Sequence, residues 1–157
     1  MPVYTTSTSC HINAPRSAVY AELVDPDSVG KWRVPAGMTS VVHEFDASEG
    51  GAFRVSLTYD GPAGIGKSHD RTDTYHGRFL RLVPDELVVE VLEFETPDAG
   101  LGGEMTMTTT LSDEFGGTLV VVVHEGIPDS VPVEDNEAGA RMALANLTEL
   151  VEAKLRP

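Results

Sequence analysis

The sequence predicts an α+β fold: a curved antiparallel sheet of about seven strands, two short helices after the first strand, and one long C-terminal helix covering the sheet. Three observations carry this. Apolar residues recur with a period of two from Met38 through the strand-like run that ends near Gly126. The period then changes to that of a helix over residues 134–155. The helical segments are segregated at the two ends of the strand run rather than alternating with single strands, which indicates consecutive hairpins instead of βαβ units.

Residues 3–12, rich in Thr, Ser, Val and Tyr, read as the first strand. Asn13-Ala14-Pro15 reads as a cap and an early helical proline, followed by a short helix whose apolar face is Val19, Leu23 and Val24. Asp25-Pro26 ends that helix and opens a second one closing near Trp32. Beyond Met38, Val41, His43 and Phe45 alternate with Val42, Glu44 and Asp46. After the Gly50-Gly51 turn, Phe53, Val55, Leu57 and Tyr59 alternate with Arg54, Ser56, Thr58 and Asp60, the pattern of a strand with one apolar face. Tyr75, Gly77 and Phe79 share a face in the next strand. Pro84-Asp85 turns the chain into ELVVEVLEFE, and the loop 96–103 leads to a strand in which Met105, Met107, Thr109 and Leu111 alternate with polar residues. Asp113 to Gly117 forms a hairpin turn before LVVVVHE. In the tail, Ala140, Ala143, Leu144, Leu147, Leu150, Val151 and Leu155 form one stripe, with Arg141, Thr148, Glu149 and Glu152 opposite. The length predicts one domain over residues 1–157.

The segment Gly61-Pro62-Ala63-Gly64-Ile65-Gly66-Lys67-Ser68 matches the phosphate-loop pattern at every fixed position. Its context does not. A phosphate loop needs a buried parallel strand before it and a helix behind it, whose N-terminal amides hold the phosphates. Here an alternating strand precedes the segment, and the residues after it, with Thr72, Thr74 and Tyr75, are strand-like. LVVVVHE resembles a magnesium-site strand but carries His124 where the acid belongs. The segment is read as a hairpin loop.

The chain carries 25 acidic against 11 basic side chains, a net charge of −14. Such a surface repels phosphate backbones and anionic headgroups, so neither nucleic acid nor a membrane surface is an expected partner. Cys10 is the only cysteine, which excludes an internal disulfide and fits a reducing compartment. The first dozen residues lack a basic region followed by an apolar one, and no apolar run reaches about 18 residues. A cytoplasmic protein is expected.

An ordered set of short features resembles the activator of Hsp90 ATPase homologue-like proteins of the START-like (SRPBCC, helix-grip) superfamily. These are Ala14-Pro15, Asp25-Pro26 leading to Trp32, Gly50-Gly51-Ala52-Phe53-Arg54, Asp60-Gly61, Gly77-Arg78-Phe79, and Val83-Pro84 with Leu87-Val88. Gly116-Gly117-Thr118, His124-Glu125-Gly126 and the terminal helix complete the set. The resemblance spans about residues 3–155 and implies a helix-grip sheet wrapped on the last helix with an apolar cavity between them. Superfamily members bind lipids, steroids, hormones or polyketides, and some are cyclases. One position departs from the family: Gly139 is followed by Ala140 where Trp is usual, which leaves room at one cavity end.

With that cavity as the expected site, Phe53, Val55, Tyr59, Tyr75, Met105 and Met107 on the strand faces oppose Ala140, Leu144 and Leu147 on the helix. Trp32 joins this set. Adjacent methionines adapt to ligand shape and tyrosines supply polar handles. His43 shares a phase with Val41 and Phe45 and is expected inward. His124 shares a phase with Val120 and Val122, but both faces of its strand are apolar, so its direction stays open. Either Glu90 or Glu93 must point inward. No catalytic residue is assigned, no metal-ligand spacing exists among His11, His69, His76 and Cys10, and no cofactor is expected. The function expected is binding of a small hydrophobic or aromatic molecule. The alternatives are a cyclase-like or hydrolytic enzyme using an inward His and carboxylate, and a co-chaperone-like interaction module with a homodimer or chaperone partner.

Overall fold

The computed structural model describes residues 3–35, 37–59, 72–98 and 100–156. The chain runs β1 (Val3–Ile12), α1 (Arg16–Leu23), α2 (Pro26–Trp32), β2 (Met38–Phe45), β3 (Ala52–Tyr59), β4 (Thr72–Val83), β5 (Leu87–Phe94), β6 (Met105–Glu114), β7 (Gly117–Pro128) and α3 (Val133–Lys154). The strands form one antiparallel seven-stranded sheet in the order β1-β7-β6-β5-β4-β3-β2. All pairings except β1–β7 join sequence neighbours, because short turns can link only antiparallel partners. β1 and β2 lie at opposite edges, and α1 and α2 carry the chain from one to the other. This crossing brings the end of α2 over the sheet, whose central strand is β5.

α3 packs its stripe on the sheet. Leu144, Leu147 and Val151 are buried in one core with Ile12, Phe53, Phe79 and Val120, and with Val19, Leu23, Val29 and Trp32 of the short helices. Leu155 falls just past the helix and is 52% exposed, so the apolar stripe ends before the sequence pattern does. At Gly77 the Phe53 ring lies across β4, and a Cβ there would meet the Val91 carbonyl oxygen and come within 2.8 Å of Phe53 Cζ. The glycine is therefore a packing requirement: it lets Phe53 reach Phe79, with ring centroids 5.2 Å apart.

Local signals explain the helix ends in part. Asp25 accepts from the Asp27 amide at 3.1 Å and Pro26 opens α2, as read from sequence. Asn13 does not cap α1; Pro15 occupies that position, and Asn13 Oδ1 instead lies 3.0 Å from His11 Nε2. At the other end, Lys154 Nζ lies 2.9 and 3.0 Å from the two oxygens of the buried Glu22, which also accepts from Ser28 Oγ. This fastens α1 to the last turn of α3.

β2 departs from its expected phase. Its register against β3 shifts between Val42 and Glu44, so His43 is an extra residue in a β-bulge. A bulge exchanges the two faces of the strand beyond it. Val42 and Phe45 are the half-buried pair, while Val41 and His43 are exposed. His43 Nε2 meets Ser56 Oγ at 2.8 Å on the outer face. The GPAGIGKS loop lies outside the described residues, but β4 begins at Thr72 and pairs antiparallel with β3, so the structure places a strand where a phosphate loop needs a helix.

Candidate functional site

Between the sheet and the first half of α3 lies a cavity of about 300 Å³. Protein interiors are packed closely enough that a void of this size is uncommon, and it matches the lower end of the range for small-molecule pockets. Strands of the sheet, α3 and the end of α2 build it. Met105 and Met107 of β6 and Val122 and His124 of β7 form its floor with Tyr75 of β4 and Leu92 and Phe94 of β5. Gly139, Ala140, Ala143, Leu144 and Leu147 form its roof, and Trp32 to Pro35 close one side. A Cβ added at Gly139 would meet nothing within 4 Å, and Ala140 lines the same space.

The wall is apolar apart from a few groups, and these are arranged with care. Arg33, the residue capping the C-terminus of α2, donates from Nη1 to Glu90 Oε1 at 2.7 Å. The two side chains are only 13% and 6% exposed. Burial alone would pull the guanidinium's pKa down, but the Glu90 charge and hydrogen bond more than offset this and hold it above its ordinary value. The guanidinium also lies over Trp32 and Tyr75, 5.8 and 5.4 Å from the ring centroids. Asn146 of α3 fixes the segment by donating to the carbonyls of Trp32 and Val34, at 3.3 and 3.1 Å.

Across the sheet, Thr6, His124, Met107 and Glu90 occupy partnered positions on β1, β7, β6 and β5. Thr6 Oγ1 donates to Asn136 Oδ1 at 2.7 Å, and Asn136 Nδ2 lies 3.2 Å from His124 Nδ1. An amide nitrogen can only donate, so Nδ1 accepts and the neutral ring carries its proton on Nε2. Burial, and then the Arg33 charge, lower the His124 pKa to about 4, which keeps the ring neutral near pH 7. Burial pushes the Tyr75 hydroxyl's pKa up, so it too is uncharged. Among the described residues, His124 Nε2 and Tyr75 Oη are the buried side-chain polar atoms without a hydrogen-bond partner in the protein.

Of the residues expected to bind a ligand, Trp32, Tyr75, Met105, Met107, His124, Ala140, Leu144 and Leu147 line this cavity. Four do not. His43 is turned outward by the bulge in β2. Phe53 and Val55 are 2% exposed and buried in the core nearer the β2 edge, because Gly77 draws the Phe53 ring across β4. Tyr59, at the end of β3, is half-buried and off the lining. Sequence reasoning missed Arg33 and Asn136. Glu90 was the available signal for Arg33: a carboxylate on the apolar phase of β5, between Val88 and Leu92, requires a cation. Glu93 takes the outer face, 3.1 Å from His76 Nε2. Among the described residues no group of three metal-ligating side chains occurs, and no helix is long and apolar enough to cross a membrane.

Residues 13–152 match the family model described as activator of Hsp90 ATPase homolog 1-like protein. The chain belongs to this family. The helix-grip arrangement holds along the whole described chain. A solved protein of Chromobacterium violaceum is similar at 34% identity and a TM-score of 0.83, over 94% of this chain and 96% of that one. An AHSA1-like protein from Aeromonas hydrophila shares the fold at 20% identity and a TM-score of 0.73, over 96% and 94% of the two chains. A protein from Arthrobacter aurescens does so at 14% identity and a TM-score of 0.80, over 98% and 92%. Among curated proteins, none matches the chain.

Proposed function

We propose that this protein binds a small hydrophobic or aromatic molecule in the cavity between the sheet and α3. One observation carries the reading: an apolar-lined space of about 300 Å³ persists in a core that is otherwise closed by large side chains. Met105 and Met107 adapt to shape, Trp32 and Tyr75 offer aromatic faces, and the polar groups are few and fixed. Binding is favoured over catalysis because, among the described residues, the buried ionisable side chains at the wall are already committed. Glu90 is tied to Arg33, the acceptor nitrogen of His124 is taken by Asn136, and Asp135 is exposed at the start of α3. The chain carries one tryptophan, Trp32, on the wall, so ligand entry is read directly as quenching of its fluorescence. Saturable quenching by an apolar aromatic probe, together with a small molecule retained in native mass spectrometry of freshly purified protein, supports the reading. Absence of both would remove it.

A further inference from the structure

The cavity wall holds two buried polar atoms that no protein group satisfies, Tyr75 Oη and His124 Nε2. They stand on different strands, β4 and β7, and both residues line the same space. Buried polar atoms in folded proteins are nearly always hydrogen-bonded, so two such atoms on residues that line one apolar cavity point to a partner that enters it.

Their chemistry says what. His124 offers only a donor, because Asn136 occupies Nδ1 from the other side of the ring. Tyr75 offers a hydroxyl that burial keeps protonated. Arg33 is near both, but Glu90 balances its charge. A hydrocarbon would leave both buried atoms unpaired. A carboxylate would bring an unbalanced charge past Asp135 into a chain of net charge −14. A neutral oxygen with free lone pairs satisfies each donor at no such cost.

Resting on the reading of this cavity as a ligand site, we propose that the ligand is an apolar, largely aromatic molecule bearing neutral carbonyl-type oxygens, one accepting from His124 Nε2–H and another meeting the Tyr75 hydroxyl. Thr6 and Asn136 are positioning residues: they hold the His124 tautomer that presents the donor. The recognition is by hydrogen bonding at two points of an otherwise apolar body.

The test uses three probes of one shape, anthracene, anthraquinone and anthracene carboxylate, each titrated against Trp32 fluorescence in the full chain. Anthraquinone is expected to bind at least about tenfold more tightly than anthracene. That advantage should shrink in Tyr75→Phe and in His124→Phe, while anthracene affinity holds. Tyr75→Phe deletes an unpaired hydroxyl, so its melting temperature should not fall; a clear fall would mean the hydroxyl is satisfied within the protein and would overturn the proposal. Asn136→Leu should lower anthraquinone affinity alone and alter the His124 ring-nitrogen NMR signals. In the unmodified protein those signals should report the Nε2–H tautomer, and the Nδ1–H form would overturn the inference even if the His124 variant fails to fold. Equal binding of anthracene and anthraquinone leaves the cavity as a ligand site but removes the oxygen requirement. Preference for the carboxylate replaces the neutral ligand with an anion. No quenching by any probe defeats the ligand site itself.

Discussion

Arg33 reaches across 57 positions of sequence to place Nη1 2.7 Å from Glu90 Oε1 on the central strand of the sheet. Arg33 lines one side of the cavity, and the pair joins the end of α2 to β5. Desolvating two charges costs several kcal/mol, which their mutual attraction and hydrogen bond must offset, so the pair is worth little as a unit but much to each partner. Glu90→Leu or Arg33→Met alone should lower unfolding stability by roughly 3–5 kcal/mol in urea denaturation. The double variant should recover most of that loss. A double variant whose loss equals the sum of the two single losses would mean that the two side chains act independently.

His124 links the cavity to pH. Its pKa is lowered to about 4 from 6.5. Between those values the unfolded chain takes up a proton that the folded ring refuses, so stability falls as pH drops from about 6.5 and levels off below about 4. A shift of that size corresponds to roughly 3 kcal/mol. Glu95, whose pKa is held at about 2 by hydrogen bonds from Arg54 and then His76, acts at lower pH; its contribution is lost as pH falls through that value. His11, raised chiefly by its bond to Glu114, moves stability the opposite way. The measurement is therefore the difference between the unmodified protein and His124→Phe across pH 4–7. A flat difference would show that His124 is solvated in the folded state.

Gly77 should tolerate no side chain. A Cβ there meets a backbone carbonyl as well as the Phe53 ring, and the carbonyl cannot turn away without breaking the β4–β5 ladder. Gly77→Ala is expected to cost at least about 3 kcal/mol by denaturant titration, above the usual range for overpacking. Adding Phe53→Leu should relieve only part of it.

Ala140 lines the roof of the cavity next to Gly139, where an added Cβ would meet nothing within 4 Å. Ala140→Trp should fill that end, abolish binding of an apolar dye followed by the dye's own fluorescence, and change stability by less than about 1.5 kcal/mol. A large drop in melting temperature would show that the space is too small for an indole. Unchanged probe binding in a stable variant would place the ligand elsewhere.

Phe115 stands at φ 45° in the β6–β7 turn, with 95% of its surface exposed. With Gly116 at φ 77° it makes the two-residue hairpin loop that favours Asn-Gly. Phe115→Asn should raise stability by roughly 1 kcal/mol in thermal melts, since no packing is lost and the left-handed backbone costs Asn less.

The sequence by itself determined the elements: the strands from their period of two, α3 from its apolar stripe, α2 from Asp25-Pro26, and the rejection of a phosphate loop from the strand-like residues behind it. These are properties of neighbouring residues, so they are visible locally. Tertiary structure decided the site. Both phases of β7 are apolar, so nothing in LVVVVHE says which way His124 points; Asn136, on the far side of a turn, decides it. A single extra residue in β2 carries no local mark, yet it sends His43 outward. Arg33 and Glu90 meet only because the sheet order puts β1 and β2 at opposite edges, so that the chain between them passes over the sheet and leaves Arg33, at the end of α2, within reach of β5. Local pattern sets which faces are apolar, while the pairing of buried polar groups depends on which distant segments the topology brings together.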